Sequence, residues 1–427
     1  MSPEHVPFGS KRSERRGHAR ASGPGASSDR PDDRARPDGA HGGGAAAARA
    51  DSRALSLYFA ALFLGVGVHL PFFPVFLSGR GLDADEIGIV LAAPFAVRIV
   101  VLPLLAAAAD RIGSLTRAIA LYATAAFALV WLIGAAQGFW GLLAASVVVT
   151  AFWTSQTPIA DAVAMRHART AGASYGRIRA WGSLAFIVAS YAAGLVLERT
   201  GSEAVFWMLA AAFALTLAAA VHLARRPMSA PAPVNRPGML GSLAALRPAL
   251  LVVVACALVQ SSHTVLYGFG SLAWARAGFS TAEIGTLWAV GVVAEVVLFA
   301  LPGRVLGPVA PAALAALGGA AAVVRWGCLT LEPGFVAALP LQALHGLSFG
   351  ATYLAMVRQI AAHAVPGRLA GAQALAATTV TLAMAAMTAA SGALYAALGT
   401  GAYAVMVVPA ALALGLVAVD ALRRRGA

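Results

Sequence analysis

The hydrophobic and polar positions of this chain fall into two regimes that meet near residue 53. Before that point there is no apolar run; beyond it, apolar stretches longer than about 18 residues follow one another with short polar breaks, each long enough to cross a bilayer core. They predict twelve helices at 54–77, 87–109, 116–136, 139–164, 178–197, 203–224, 248–272, 283–301, 309–330, 335–361, 369–397 and 401–422. The runs are continuous rather than alternating, which argues against a membrane β-barrel. The longest polar break, RRPMSAPAPVNRPGMLGS at 225–242, divides the helices six and six. The expected fold is an all-α membrane protein of two pseudo-symmetric six-helix bundles, 54–224 and 248–422, joined by a linker at 225–247 and followed by a basic tail at 423–427.

Residues 1–53 are rich in Gly, Ser, Pro, Ala, Arg and Asp, with charges of both signs interspersed, and bury too little surface to fold. They are expected to be a disordered cytoplasmic tail. Its basic stretch KRSERR leads into polar, Gly-rich sequence and not into an apolar core, so it does not read as a signal peptide. A nucleic-acid arm is disfavoured by the interrupting acidic residues and by Phe8 being the only aromatic there.

Composition sharpens this reading. The chain is 59% hydrophobic and 11% charged with a mean hydropathy of +0.77, which excludes soluble enzymes, nucleic-acid binders and secreted disulfide scaffolds. Cys256 and Cys328 both lie inside apolar runs. The net charge of +13 is chiefly a topology signal. Placing the tail, with its ten basic residues, the even-to-odd loops and the C-terminal end on one side gathers fifteen more there, against Arg80, Arg199 and Arg276 on the other. By the positive-inside rule both termini are then cytoplasmic. Only Arg98, Arg179 and Arg325 remain within spans.

The two halves repeat. GLDADEIGIVLAAPFAVR from Gly81 aligns with GFSTAEIGTLWAVGVVAE from Gly278, sharing EIG and setting Arg98 opposite Glu295. A six-plus-six repeat is the pattern of a transporter whose halves rock about a central site.

Ionisable side chains inside a span cost roughly 2.5–3.5 kcal/mol at the helix centre, so they face cavities and find partners. Here they are His69, Arg98, Asp161, Arg179, His263, Glu295, Arg325 and His345. Glu295 lies about 18 Å along its helix from Glu283, near the midplane, and Arg98 sits equally deep from Glu86. Arg98 and Glu295 either form a static pair between the halves or serve transport. Asp161 and Arg179 either anchor a loop or touch substrate. His69, beside Pro71, reads as a core histidine ahead of a proton relay. Tyr267, Phe269, Trp181, Trp288 and Trp326 either pack, anchor at the interface or line an aromatic cavity.

The chain resembles the major facilitator superfamily. AAAADRIGSLTR between spans two and three is similar to that superfamily's gating-loop motif: Asp110, Arg111 and Gly113 match, while Ala106 replaces its leading Gly and Arg117 stands for a basic pair. LPFFPVFL, YGRIRAWGSLAF, HTVLYGFG, GVVAEVVLFA, VVRWG and LQALHGLSFG, in that order, resemble the 3-phenylpropionate permease group, related to the lactose permease type of proton symporter. The resemblance implies the major facilitator fold and proton-coupled uptake across the cell inner membrane through a cavity between the halves. It places Glu295, Arg325 and His345 where the lactose permease type carries its coupling network, and Asp161 and Arg179 where it carries a charged pair. Where that type has a further carboxylate one turn after the histidine, this chain has Ser348.

Glu295 is therefore the expected proton carrier, with His345 or His263 as partner, giving up its proton as Arg325 approaches. Arg98, Arg325, Asp161, Arg179, Tyr267 and Trp288 make up the expected substrate and charge network. Three arginines against two carboxylates leave one positive charge, which suits an aromatic carboxylate; a sugar or nucleoside is the alternative. Export is a further alternative, although WGSLAFIVASYAAGLVLE lacks the late Gly-Pro of drug antiporters. Without a P-loop, HExxH, nucleophile elbow or Cys/His cluster, no enzyme activity, cofactor or metal is expected. The expected partners are a small-molecule substrate, protons and the lipid bilayer, with no nucleic acid, for a chain acting as a monomer.

Overall fold

The computed structural model describes residues 39–226, 249–301, 303–363 and 369–425. The expected linker at 225–247 therefore lies almost entirely outside the described residues, as do the first part of the tail and the last two residues. The helices are α1 (Gly39–Gly79), α2 (Ala84–Ile112), α3 (Leu115–Ala135), α4 (Gly138–Ala171), α5 (Tyr175–Thr200) and α6 (Ala204–Ala224) in the first half. In the second half they are α7 (Leu250–Arg276), α8 (Thr281–Ala300), α9 (Pro311–Leu329), α10 (Phe335–His363), α11 (Leu369–Leu398) and α12 (Ala402–Arg425). Among the described residues, eleven stretches are long and apolar enough to cross a membrane. The last, Leu375–Arg424, is 50 residues long and holds both α11 and α12 around a 3₁₀ turn at Gly399–Gly401. At 1.5 Å per residue it covers about 75 Å, over twice a hydrocarbon core, so it crosses twice. The described residues thus supply twelve crossings, and an even number returns the chain to the face on which α1 begins, here termed the terminal face.

The helices overrun several expected boundaries, most of all at the start of α1. α1 starts at Gly39, inside the segment expected to be tail. The Ala run from Ala45 to Ala48 has high helix propensity, and the first turns are held by neighbours: Ser52 Oγ lies 2.8 Å from His167 Nε2 on α4, and Asp51 Oδ1 lies 3.7 Å from Arg226 Nη1 after α6.

Packing within the halves is matched pair for pair. α3 packs on α4 and α6, and α2 on α4; correspondingly α9 packs on α10 and α12, and α8 on α10. The halves meet along α2 with α11 and α5 with α8. At these seams small residues bring backbones together. A Cβ on Gly88 would meet Gly392 Cα at 2.8 Å, one on Gly392 would meet Ala84 O at 2.6 Å, and one on Gly285 would strike the Ser190 carbonyl. Thr281 Oγ1 donates to Gly194 O at 2.6 Å and Ala282 N to Glu198 Oε1 at 3.2 Å, adding polar ties between α8 and α5.

The repeated EIG acquires a physical meaning here. Glu86 and Glu283 close capping boxes with Asp83 and Ser280, fixing where α2 and α8 begin. Ile87 and Ile284 are buried, and Gly88 and Gly285 sit at the two seams. All lie at the face opposite the terminal one. Toward the terminal face α2 and α11 diverge, leaving a cavity of about 610 Å³ between Arg98, Leu102, Ala106 and Asp110 on one side and Ala377 and Thr381 on the other. The molecule is closed at one face and open at the terminal face.

At the closed face Arg80 clamps the ends of α1, α3 and α6. It donates to both oxygens of Glu203 (Nη2 to Oε2, 2.8 Å) and to Ala136 O at 3.1 Å, over the Phe76 ring. These bonds hold the Glu203 carboxyl below its ordinary value of 4.5 and raise the Arg80 guanidinium. A depressed carboxylate stabilises the fold above its unfolded value and stops doing so as pH falls through the folded one. Acidification below pH 4.5 is therefore expected to lower the thermal midpoint of the parent more than that of Glu203→Gln, read in a pH series of melting curves. Gly285→Val is expected to cost about 1–3 kcal/mol by forcing α5 and α8 apart, read as a loss of thermal stability in detergent.

Candidate functional site

The site is built around two interruptions of regular helix. In α7 the run QSSHT supplies side chains that compete for backbone carbonyls: Ser261 Oγ donates to Leu258 O, Ser262 Oγ to Val259 O and Thr264 Oγ1 to Ser261 O. The helix breaks between Ser261 and Thr264, with His263 at the turn. In α10 a π-helical segment, Gly346–Ala351, follows His345. It is admitted by Gly346, which lies against the α8 backbone at Ala294, and by Gly350, which faces Leu298 and Glu295. Such segments turn side chains out of helical register and recur at functional sites.

These breaks bring His263, Arg325, His345 and Ser348 together in a buried cluster. Arg325 Nη1 lies 3.2 Å from His345 Nδ1 and 3.3 Å from Ser348 Oγ, and Nη2 donates to Gln342 Oε1. Its guanidinium also lies over Trp326, whose indole N–H donates to Ser262 Oγ at 2.9 Å. His263 Nε2 lies 3.0 Å from Ser348 Oγ, and its Nδ1 lies 2.9 Å from Val259 O. The donors and acceptors fix both tautomers. A carbonyl only accepts, so His263 carries its proton on Nδ1 and accepts from Ser348. A guanidinium only donates, so His345 accepts on Nδ1 and presents its Nε2–H toward Glu295 Oε2, 3.7 Å away. Arg325 is thereby buried among neutral partners, and the carboxylate stands one residue further along the chain of contacts.

This cluster walls one lobe of a cavity between the halves. The lobe, about 230 Å³, is lined on the α1 and α5 side by Phe63, Arg179 and Phe186 and on the other by Tyr267, Trp288, Glu295 and Arg325. Arg325 Nε and Gln342 Nε2 have no partner among the described residues. Arg179 is held 3.8 Å from Asp161 Oδ1 and stacks over Phe63 at 3.9 Å, while Tyr175 donates to Asp161 at 3.0 Å.

A second lobe of about 240 Å³ shares Val66, Leu70 and Tyr267 with the first. Its walls are His69 and Phe73 from α1, Phe95 and Arg98 from α2, Trp153 and the hydroxyls of Thr150, Thr154 and Thr157 from α4, and Thr388 from α11. His69 stacks on Phe73 with ring centroids 4.4 Å apart and meets Trp153 edge-on at 5.2 Å. Arg98 is half-buried, makes no hydrogen bond or ion pair among the described residues, and borders both this lobe and the opening toward the terminal face. Ser146 Oγ, in the same wall, is buried without a hydrogen-bond partner.

The structure places Glu295, Arg325, His345, Arg179, Tyr267 and Trp288 around one lobe, with Asp161 against Arg179 and Ser348 between Arg325 and His263. It does not pair Arg98 with Glu295: they lie in different lobes, and Glu295 faces His345. Of the other aromatics, Phe269 is buried against Tyr395, Trp326 sits behind Arg325, and Trp181 is 54% exposed on the outside of α5. In the loop motif, Gly113 is the left-handed C-cap of α2 (φ 73°), its N–H bonding to Asp110 O; Asp110 borders the terminal-face opening and Arg111 is exposed. Sequence reasoning missed Gln342, one turn before His345, and the α4 stripe Thr150, Thr154 and Thr157, whose spacing of four and three marks one helix face. Among the described residues no group of His, Cys, Asp or Glu is placed to hold a metal.

Twelve crossings in two matched bundles around a central cavity are the architecture of a multi-pass membrane transporter of the major facilitator type. The MFS_1 like family matches residues 53–404, and the chain belongs to that family. It is 30% identical over 359 residues to a probable 3-phenylpropionic acid transporter of Escherichia coli (strain K12), covering 83% of this chain and 94% of that one. It is 26% identical over 299 residues to a maltose permease of Geobacillus stearothermophilus, covering 69% and 75%. The fold matches the crystal structure of the nucleoside transporter NupG with a TM-score of 0.72 at 14% identity, covering 87% of this chain and 98% of that one.

Ser348 links Arg325 to His263, so Ser348→Ala leaves buried His263 Nε2 without its donor and removes one of the acceptors of Arg325. It is expected to cost about 1–3 kcal/mol, measured as a loss of stability in thermal or denaturant unfolding.

Proposed function

We propose that this protein carries an aromatic carboxylate inward across the cell inner membrane together with protons, its terminal face being cytoplasmic. The observation that carries the proposal is Arg98, a cation without a counter-charge in an aromatic- and hydroxyl-lined lobe between the halves. A half-buried guanidinium in such surroundings calls for an anion. Here it would receive the carboxylate while Phe73, Phe95 and Trp153 accommodate the ring. The name borne by the E. coli relative, a phenyl-substituted carboxylic acid transporter, agrees in both features. The basic residues gathered at the terminal face support its cytoplasmic placement.

Proton coupling rests on the other lobe. With His263 and His345 committed as neutral partners of Ser348 and Arg325, Glu295 is the carboxylate left to take up a proton from the cavity. Arg179, which lines the same lobe, is the cation toward which an ionised Glu295 is drawn. Proton and substrate occupancy of adjoining lobes would then select together the state able to reorient.

The test is uptake into proteoliposomes of labelled aromatic acids, sugars and nucleosides, with and without an imposed pH gradient. Gradient-driven accumulation of aromatic acids is expected; accumulation of sugars or nucleosides in their place, or indifference to the gradient, would overturn the proposal. Arg98→Gln is expected to raise the KM for the carboxylate about 10- to 150-fold, the loss of one charge-assisted hydrogen bond. Glu295→Gln is expected to abolish accumulation while leaving exchange of substrate across the membrane.

A further inference from the structure

A third cavity lies apart from the transport path. At the terminal face the start of α1 and the start of α5 splay apart, leaving a groove of about 760 Å³ floored by the turn from Ala171 to Ser174. Three arginines, Arg49, Arg53 and Arg177, line it, and none makes a side-chain hydrogen bond or ion pair among the described residues. The acidic residue nearest in sequence, Asp51, is engaged by Arg226. Ser52 is engaged by His167, and Ser174 by the backbone N–H of Arg177. The groove therefore concentrates positive charge that the described residues leave uncompensated.

Its orientation is lateral. No residue of α7 to α12 lines it. Arg177 and Trp181 lie on the side of α5 away from Tyr175, Arg179 and Phe186, which face the central cavity and its charged cluster. That outer side continues toward the midplane as Trp181, Leu184 and Val188, at 54%, 49% and 53% exposure, and Leu57 of α1 is 55% exposed beside the groove. A cationic head region at the depth of an interfacial tryptophan thus leads into an apolar strip along the span.

We infer that this groove binds the headgroup of an anionic phospholipid, its phosphodiester among Arg49, Arg53 and Arg177 and an acyl chain along Trp181, Leu184 and Val188. Charge complementarity selects the head, and the strip selects a lipid over a soluble anion. The bound lipid would tie the start of α1 to α5, the helix that forms a seam with α8.

The test uses the full chain in phosphatidylcholine nanodiscs carrying rising fractions of phosphatidylglycerol brominated in its acyl chains. The emission lost in Trp181→Phe isolates the Trp181 signal. Quenching per lipid is expected to be at least about fivefold stronger with brominated phosphatidylglycerol than with brominated phosphatidylcholine. The triple variant R49Q/R53Q/R177Q should bring the two to parity, and the corresponding triple lysine variant should keep a preference. Equal quenching by both lipids in the parent overturns the inference, a comparison that needs no variant beyond Trp181→Phe. So does a preference left intact in the glutamine variant, or one erased by excess inorganic phosphate, which would assign the groove to a soluble anion.

Discussion

The constraint on which the rest of this structure depends is the approach of bare backbones where the halves meet. Without a hydrophobic driving force between helices inside a membrane, association rests on close packing and local polar ties. Gly88 against Gly392 and Gly285 against Ser190 supply the first, and Thr281 with Gly194 the second. Because both seams lie near the starts of α2 and α8, they join the halves at one face only. Everything toward the other face is left to diverge, and the cavity exists because the halves are pinned at one end.

A cavity that holds charge must also hold charge apart. Among the span residues, Arg179 is offset by Asp161, and Arg325 is surrounded by acceptors that carry no charge: His345, Ser348 and Gln342. That arrangement costs more than a direct ion pair would in electrostatic terms, and it interposes His345 between Arg325 and Glu295. A carboxylate in place of Ser348 would have paired with Arg325 and closed the network on itself. Among the described residues, Arg98 in one lobe and Arg325 and Glu295 in the other are thus the charged groups of the cavity walls without an oppositely charged Arg, Asp or Glu in direct contact.

Much of the fold was legible in the sequence because a bilayer demands it. Twelve long apolar runs and a polar break after the sixth sufficed for the helices. The repeat sufficed for the symmetry, since EIG encodes a capping-box glutamate, a buried isoleucine and a seam glycine at once. The start of α1 was not legible: its first turns are polar, and their helix is held by His167 and Arg226, residues more than a hundred positions away. In the site, the costly ionisable residues announced themselves, but their partners did not. Aligning Arg98 with Glu295 suggested a pair, whereas residues related by a pseudo-twofold axis sit on α2 and α8, on opposite sides of that axis, and touch only if they lie close to it. The Thr stripe of α4 and the π-helical turn of α10 gave no signal strong enough to separate them from ordinary helix.

The division into two lobes also sets how the halves can influence one another. Tyr267, Val66 and Leu70 belong to both lobes. Tyr267 stands one turn after the break in α7, with its ring centroid 5.7 Å from that of His263 and 6.0 Å from that of Trp288. If the proposed carboxylate binds at Arg98 on α2, it would meet, through one aromatic side chain, the broken helix whose histidine is bonded to Ser348 and through it to Arg325. α2 and α8 carry the seam glycines, while α7 and α10 carry the breaks in regular helix. Under the proposed function, occupancy of one lobe would be felt at the other through α7 without passing through the seams, so coupling and closure would use different helices.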